Sequence, residues 1–288
     1  MTVVVKIGGA RAVEPKGALA DVAALAEEGT DVVVVHGGST AVDDALERMG
    51  IEPEYVETPS GVVGRFTDVE TMEVFKMAMA GQVNTDLVTG LRNEGCDAVG
   101  LSGVDGGLLT GPRKSAVRVL EDGKKKIRRG DHSGSIQSVN GELLETLLED
   151  GYTPVASPPM LAKDVAEQRS ADGEAESRPW VAVNTDADRA SAAVAAELDA
   201  ALVSLTDVAG VYGDPDDPST VIGTVDTPEA YEELKSVAEG FMGRKVMAAT
   251  EALEGGAERV VIADANAESP IRSALDGGGT HITPGAIE

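Results

Sequence analysis

Two short runs of β-branched residues, each ending in a glycine pair, constrain this chain more than any other feature. They are TVVVKIGG, from Thr2 to Gly9, and DVVVVHGG, from Asp31 to Gly38. A continuous apolar run of this length has no polar face, so both sides of the strand must be covered, as in a parallel sheet with helices on each face. Helical periodicity from about Ala18 to Glu28 separates the two runs, and a further helix is predicted from about Thr40. Strand, helix, strand and helix in that order predict an α/β fold of three layers, a central and mainly parallel sheet between two layers of helices. In such sheets ligands sit beyond the carboxyl ends of the strands, which is where both glycine pairs stand.

The remainder of the chain continues the pattern. A long helical stretch follows Asp68, a suitable cap, with a kink expected at Gly81. Strands are predicted at Ala98–Leu101, Thr153–Ser157, Ala200–Leu205 and Arg259–Ala263, and helices at Glu142–Glu149, from Asp186, from Pro228 and over Arg244–Leu253. SAVRVLEDGKKKIRRG predicts a β-hairpin turning at Asp122-Gly123. Lys163 to Pro179 carries almost no apolar residue and predicts a long solvated loop. The expectation is one domain over residues 1–288, with lobes at 1–162 and 180–288 sharing one sheet. Aromatic residues are only 3% of the chain, so Ala, Val and Leu must fill the core.

Acidic residues outnumber basic ones 50 to 24, a formal charge of -26, and the excess is spread along the chain. An evenly acidic surface suits high salt, where screening removes self-repulsion, and points to adaptation to such conditions. It argues against nucleic-acid binding, because phosphate backbones need a basic face. With no apolar run of bilayer length and no leader before the first strand, no membrane association and a cytoplasmic location are expected. The single cysteine, Cys96, leaves no internal disulfide and no cysteine metal cluster. Against this acidic trend, five of the 24 basic residues fall within Lys124 to Arg129.

The glycine pairs let backbone N–H groups approach an anion closely, Lys6 adds a full positive charge, and the helix near Thr40 adds its positive end. One such pair alone would suit a tight turn between strand and helix; two on neighbouring strands, one with a lysine, favour phosphate binding. The site is not a P-loop. Gly106 and Gly111 have the Walker spacing, but Pro112 stands where the lysine belongs, and no G-x-G-x-x-G opens the chain.

Seven segments in order resemble the amino acid kinase family, and within it acetylglutamate kinase. They are KIGG at Lys6, HGG at His36, GRFTD at Gly64, GLSGVDGGLL at Gly100, NTDADRASAAVA at Asn184, SLTDVAGVYG at Ser204 and GFMGRKV at Gly240. The resemblance implies that MgATP phosphorylates a side-chain carboxylate of a small amino-acid derivative to an acyl phosphate. Phosphoryl transfer between two anions needs positive charge on both sides and in-line positioning. By this resemblance Lys6 and Lys245 are the catalytic lysines and Asp188 the aspartate that holds both. The residues alone leave Asp188 equally a helix cap shared with Asp186.

Gly8, Gly9 and Gly38 would cradle the phosphoryl group, and the Gly37-Gly38 turn would border the acceptor. Arg65 would pair with the substrate's α-carboxylate and Asn184 with its amide. Thr206, Asp207, Tyr212 and Met242 match the nucleotide-binding lobe. Mg²⁺ would be held mainly by ATP oxygens, so no protein metal cage is expected.

Two departures stand out. Ser39 replaces the family's usual third glycine, and the hairpin KKKIRRGDHSG is unlike a typical acetylglutamate kinase. It resembles the branch acting on glutamate or 2-aminoadipate carried on the small acidic amino-group carrier protein LysW, in arginine or lysine biosynthesis. Lys124, Lys125, Lys126, Arg128 and Arg129 would then dock the carrier. On a strand these residues alternate faces, so only some can meet one partner. Free acetylglutamate as acceptor and a non-catalytic nucleotide sensor of the same fold are the alternatives. Without the N-terminal helix of arginine-inhibited hexamers, a homodimer lacking arginine feedback is expected.

Overall fold

A computed structural model of the chain describes residues 1–8, 15–59, 61, 63–121, 123–163, 180–238 and 240–288, with the backbone alone at Phe241. Its strands are β1 (Thr2–Ile7), β2 (Asp31–His36), β3 (Tyr55–Glu57), β4 (Val63–Arg65), β5 (Ala98–Gly103), β6 (Leu109–Glu121) and β7 (Lys124–Gly134). They continue with β8 (Ser138–Val139), β9 (Thr153–Lys163), β10 (Trp180–Val183), β11 (Ala201–Thr206), β12 (Thr224–Val225), β13 (Arg259–Asp264) and β14 (Thr280–Ile282). The α-helices are α1 (Lys16–Glu27), α2 (Ser39–Arg48), α3 (Val69–Lys76), α4 (Asn84–Asn93), α5 (Gly141–Glu149), α6 (Ala187–Glu197), α7 (Pro228–Val237), α8 (Gly240–Glu254) and α9 (Pro270–Leu275).

One sheet runs in the order β12-β14-β13-β11-β1-β2-β9-β6-β7, with β5, β8 and β10 attached beside this path. Its centre is parallel: β1 lies between β2 and β11, and Lys6 stands level with Val35 and Ser204. Successive residues of these strands feed two different cores. Val3, Val5, Val34 and Val203 join Leu19, Val22, Leu87 and Ile271 on one face. Val4, Val33, Val35 and Leu202 join Leu144, Val194, Val246 and Ala249 on the other. This alternation is the three-layer arrangement, and it explains why the strands are apolar on both faces along most of their length. The second core is rich in alanine, from Ala190, Ala192 and Ala195 on α6 to Ala248, Ala249 and Ala252 on α8. Small side chains let these helices lie close together, and they carry Asp188 and Lys245.

Several elements differ from the sequence expectation. The stretch after Asp68 begins as read, with the Asp68 carboxylate accepting from Thr71 N–H at 2.8 Å. Around Gly81, Met77–Val83 widens into a π-helical segment between α3 and α4. Strand β9 runs six residues beyond Ser157, as an edge partner for β6 and β10 forms. Helix α8 starts at Gly240 rather than Arg244. The hairpin forms with Glu121 opposite Lys124, while Asp122 and most of the solvated loop, residues 164–179, lie outside the described residues.

The two ends of the chain are joined by a buried carboxylate. Asp21 on α1 accepts from the N–H groups of Ile271 and Arg272, at 2.8 and 3.1 Å, and so caps α9 from another helix. Asp21→Ala leaves two donors unsatisfied and is expected to lower stability by about 1–3 kcal/mol, read as a lower denaturation midpoint with an unchanged slope.

Candidate active site

Lys6 is the last but one residue of β1, yet it is buried, because β2 and β11 flank it. A buried ammonium needs a counter-ion. It finds Asp188 in the first turn of α6, Nζ to Oδ1 at 2.6 Å, and Lys245 of α8 reaches the same oxygen at 3.3 Å. Helix α6 is capped by its neighbour: Asp186 accepts from the N–H groups of Asp188 and Arg189. That resolves the ambiguity left by the residues alone. Asp186 does the capping, and the carboxylate of Asp188 is left to hold the two lysines.

Burial by itself would raise the Asp188 pKa, but the charges of Lys6 and Lys245 and their hydrogen bonds outweigh it and lower it to about 2. Lys245 is pushed the other way: burial and the nearby Lys6 charge hold its pKa below the ordinary lysine value, against the pull of Asp188. Two ammonium groups share one carboxylate, so the cluster keeps a net positive charge at the carboxyl end of the sheet. Such a group can balance charge that develops on a transferring phosphoryl group and its leaving oxygen.

The glycine turns lie beside it. Gly8 follows β1 directly, whereas Gly9 is outside the described residues. Gly37 N–H bonds to Ile7 O at 3.0 Å, tying the second turn to the end of β1. A side chain at Gly38 would come within 2.6 Å of Met79 Sδ, so glycine there lets the π-helical segment close on the turn. At the end of β11, the Thr206 hydroxyl donates to Asp207 at 3.1 Å. The Tyr212 hydroxyl accepts from Ala209 N–H at 3.1 Å, closing this loop, and Met242 packs against the adjacent core.

On the opposite side, Arg65 leaves β4 toward the start of α2. Its guanidinium donates to Ser39 O at 2.8 Å, to Asp43 at 2.6 Å and to the Tyr55 hydroxyl at 3.1 Å, while its buried Nε is unsatisfied. The Asn184 amide donates to the Thr67 hydroxyl at 3.0 Å, and its backbone bonds to His132 O and Gly134 N–H at the root of β7. Buried Asp131 accepts from Thr67 N–H and from the Ser133 hydroxyl. Thr67, the root of the hairpin and Asn184 therefore form one hydrogen-bonded wall, and Arg65 stands two residues before Thr67 in the chain. Asp43, Tyr55, Thr67 and Asp131 were not singled out from the sequence; only their contacts across distant segments distinguish them from surface polar residues.

The basic hairpin divides by face. Val119 opposite Lys126, and Val117 opposite Arg128, share one face with Lys124. This face turns to the protein body: Val119 is buried, Arg128 lies 4.1 Å over the Phe66 ring and pairs with Glu54, and Lys126 pairs with Glu121 at 2.8 Å. Lys125, Ile127 and Arg129 face outward with Arg118 and Leu120. Ile127 is 68% exposed, and Arg118 joins the hairpin cations on this face through its place opposite Ile127. Among the described residues no ion pair engages Arg118, Lys125 or Arg129.

The family model for the amino acid kinase family matches residues 1–264. The chain belongs to the amino acid kinase family. A LysW-aminoadipate kinase of Thermus thermophilus is 41% identical over 282 residues, 97% of this chain and 99% of the relative. A LysW-aminoadipate/LysW-glutamate kinase of Saccharolobus islandicus is 36% identical, over 98% of this chain and all of the relative. An acetylglutamate kinase of Methanopyrus kandleri is 40% identical, over 97% and 99%. Among solved structures, N-acetylglutamate synthase from Neisseria gonorrhoeae superposes with a TM-score of 0.73 at 24% identity, over 98% of this chain and 59% of that one, a likeness of fold. The chain is a kinase.

The two lysines set a pH dependence. With Lys245 held below its usual pKa and Asp188 ionised to about pH 2, turnover is expected to fall on the alkaline side before an ordinary lysine would titrate. Asp188→Asn removes the counter-charge and should move this alkaline limb to lower pH, with kcat reduced by roughly 10²-fold or more. A pH–rate profile of both proteins checks the direction.

Proposed function

We propose that this kinase uses MgATP to phosphorylate the side-chain carboxylate of glutamate or 2-aminoadipate while that residue is joined to an acidic amino-group carrier protein of the LysW type. The observation that carries the reading is the continuity of one strand. β7 begins in the exposed basic hairpin and ends at His132 to Gly134, hydrogen-bonded to Asn184 and Thr67 beside Arg65. A carrier seated on the hairpin would have its terminal residue within reach of that wall. The relatives whose names mention LysW support the same reading.

In this reading Lys6 stabilises the transferring phosphoryl group and Lys245 the leaving oxygen, with Asp188 holding both ammonium groups apart. Gly8, Gly9 and the N–H of Gly38 cradle the phosphoryl group. Gly37 and Gly38 border the acceptor, Arg65 takes its α-carboxylate and Asn184 its amide. Thr206, Asp207, Tyr212 and Met242 contact the nucleotide, whose own oxygens carry the Mg²⁺ that offsets phosphate charge. The acceptor half is residues 1–162 and the nucleotide half residues 180–288. The enzyme works as a homodimer in a cytoplasm of high salt, to which a charge of -26 is suited.

Carrier docking falls to the outward face, Arg118, Lys125 and Arg129 around Ile127, rather than to all five hairpin cations. Lys126 and Arg128 have partners on their own chain, and Lys124 shares their face. Reversing Arg118, Lys125 and Arg129 to Glu should raise the KM for carrier-linked glutamate at least tenfold and leave the KM for ATP unchanged, whereas Lys126→Glu should do far less. Equal effects of both changes would count against a facial docking surface. The second reading, acetylglutamate kinase, is favoured by the 40% identical Methanopyrus relative. Assays of ATP turnover with free acetylglutamate and with carrier-linked glutamate, side by side, separate the two.

A further inference from the structure

His36 ends β2 with its ring completely buried, and nothing in the phosphoryl-transfer reading uses it. Its surroundings determine where its proton sits. Asn84 presents its side-chain nitrogen to Val155 O at 2.8 Å, and a carbonyl can only accept, so that group is the NH₂. The same NH₂ lies 3.0 Å from His36 Nε2, which must therefore accept. The ring proton is left on Nδ1, 3.0 Å from Gly37 O, and is donated there. Burial keeps the ring neutral, lowering its pKa to about 4.

The Gly37 carbonyl belongs to the Gly37–Gly38 peptide, which is planar and trans. Holding that oxygen toward His36 turns the N–H of Gly38 the opposite way, and among the described residues nothing occupies it. Between two glycines this peptide plane would otherwise turn at little cost. Asn84 owes its position to the widened helix, since its own N–H bonds to Met79 O, five residues back, and Met79 packs on Gly38. The π-helical segment thus serves both contacts.

We propose that His36 and Asn84 are positioning residues for phosphoryl transfer: Asn84 selects the Nδ1–H form of His36, and His36 locks the Gly37–Gly38 peptide so that the Gly38 N–H faces the transferring phosphoryl group. The proposal rests on the reading that Gly38 N–H meets that group. A donor aimed at charge that grows in the transition state acts on kcat more than on ground-state binding.

Two measurements on the full chain test it. Nitrogen-15 spectra of the imidazoles, with His36→Gln assigning the signal among the three histidines, should show Nδ1–H and neutral Nε2 in the wild type at neutral pH. This arm needs no acceptor, so it stands apart from the identity of the substrate. Asn84→Leu should weaken the Nδ1–H preference and lower kcat by about 10–100-fold, with the KM for ATP and for whichever acceptor turns over kept within about threefold. An Nε2–H form in the wild type would overturn the proposal. So would a folded Asn84→Leu enzyme with kcat within about twofold of the wild type, or one whose loss lies wholly in KM.

Discussion

The Asp188 carboxylate between two ammonium groups is the interaction on which the rest of the site depends. Neither lysine could stay charged and buried without it, and the proposed phosphoryl transfer calls on both charges. Three elements meet to form it: the end of a central strand, the first turn of α6 and the early part of α8. Their meeting requires α6 and α8 to pack closely on the sheet, which their alanine-rich faces allow. A chain with few aromatic residues thus places its reactive groups through small-residue packing, where bulkier residues would hold the helices apart.

A second set of contacts lies around Thr67 and Asn184. Thr67, Asp131 and Asn184 come from well-separated parts of the sequence and join through backbone and side-chain hydrogen bonds, with Arg65 two residues before Thr67. Because β7 takes part in that wall, the hairpin is a continuous extension of it. Arg128 strengthens the connection by stacking on Phe66 and pairing with Glu54. Arg128, a cation that the sequence assigns to partner docking, is in this way tied to its own chain.

Much of the fold was legible because burial on two faces leaves a clear mark. TVVVKI and DVVVVH cannot sit at a surface, and the glycines behind them mark the ligand-binding ends of strands. The π-helical turn was not legible: Gly81 breaks a helical pattern, but whether the helix bends or widens depends on Met79 packing against Gly38. The extension of β9 depended on edge partners, and the short pair β3 and β4 had no periodic signal at three residues each. Lys6, Asp188 and Lys245 were recognised through a family likeness; spacing alone left Asp188 indistinguishable from the cap at Asp186.

The sequence by itself determined the layered class, the strand ends that carry glycine and lysine, and the concentration of positive charge on one hairpin. All of these are local, since they follow from period, composition and turn chemistry. Tertiary structure decided which carboxylate holds the lysines, which nitrogen of His36 carries the proton and which hairpin cations face outward. Each of these depends on a neighbour from a distant segment, such as Lys245 for Asp188, Val155 for Asn84 and Glu54 for Arg128. The energy of a buried charge or hydrogen bond is set by what surrounds it, and those surroundings exist only once the chain has folded.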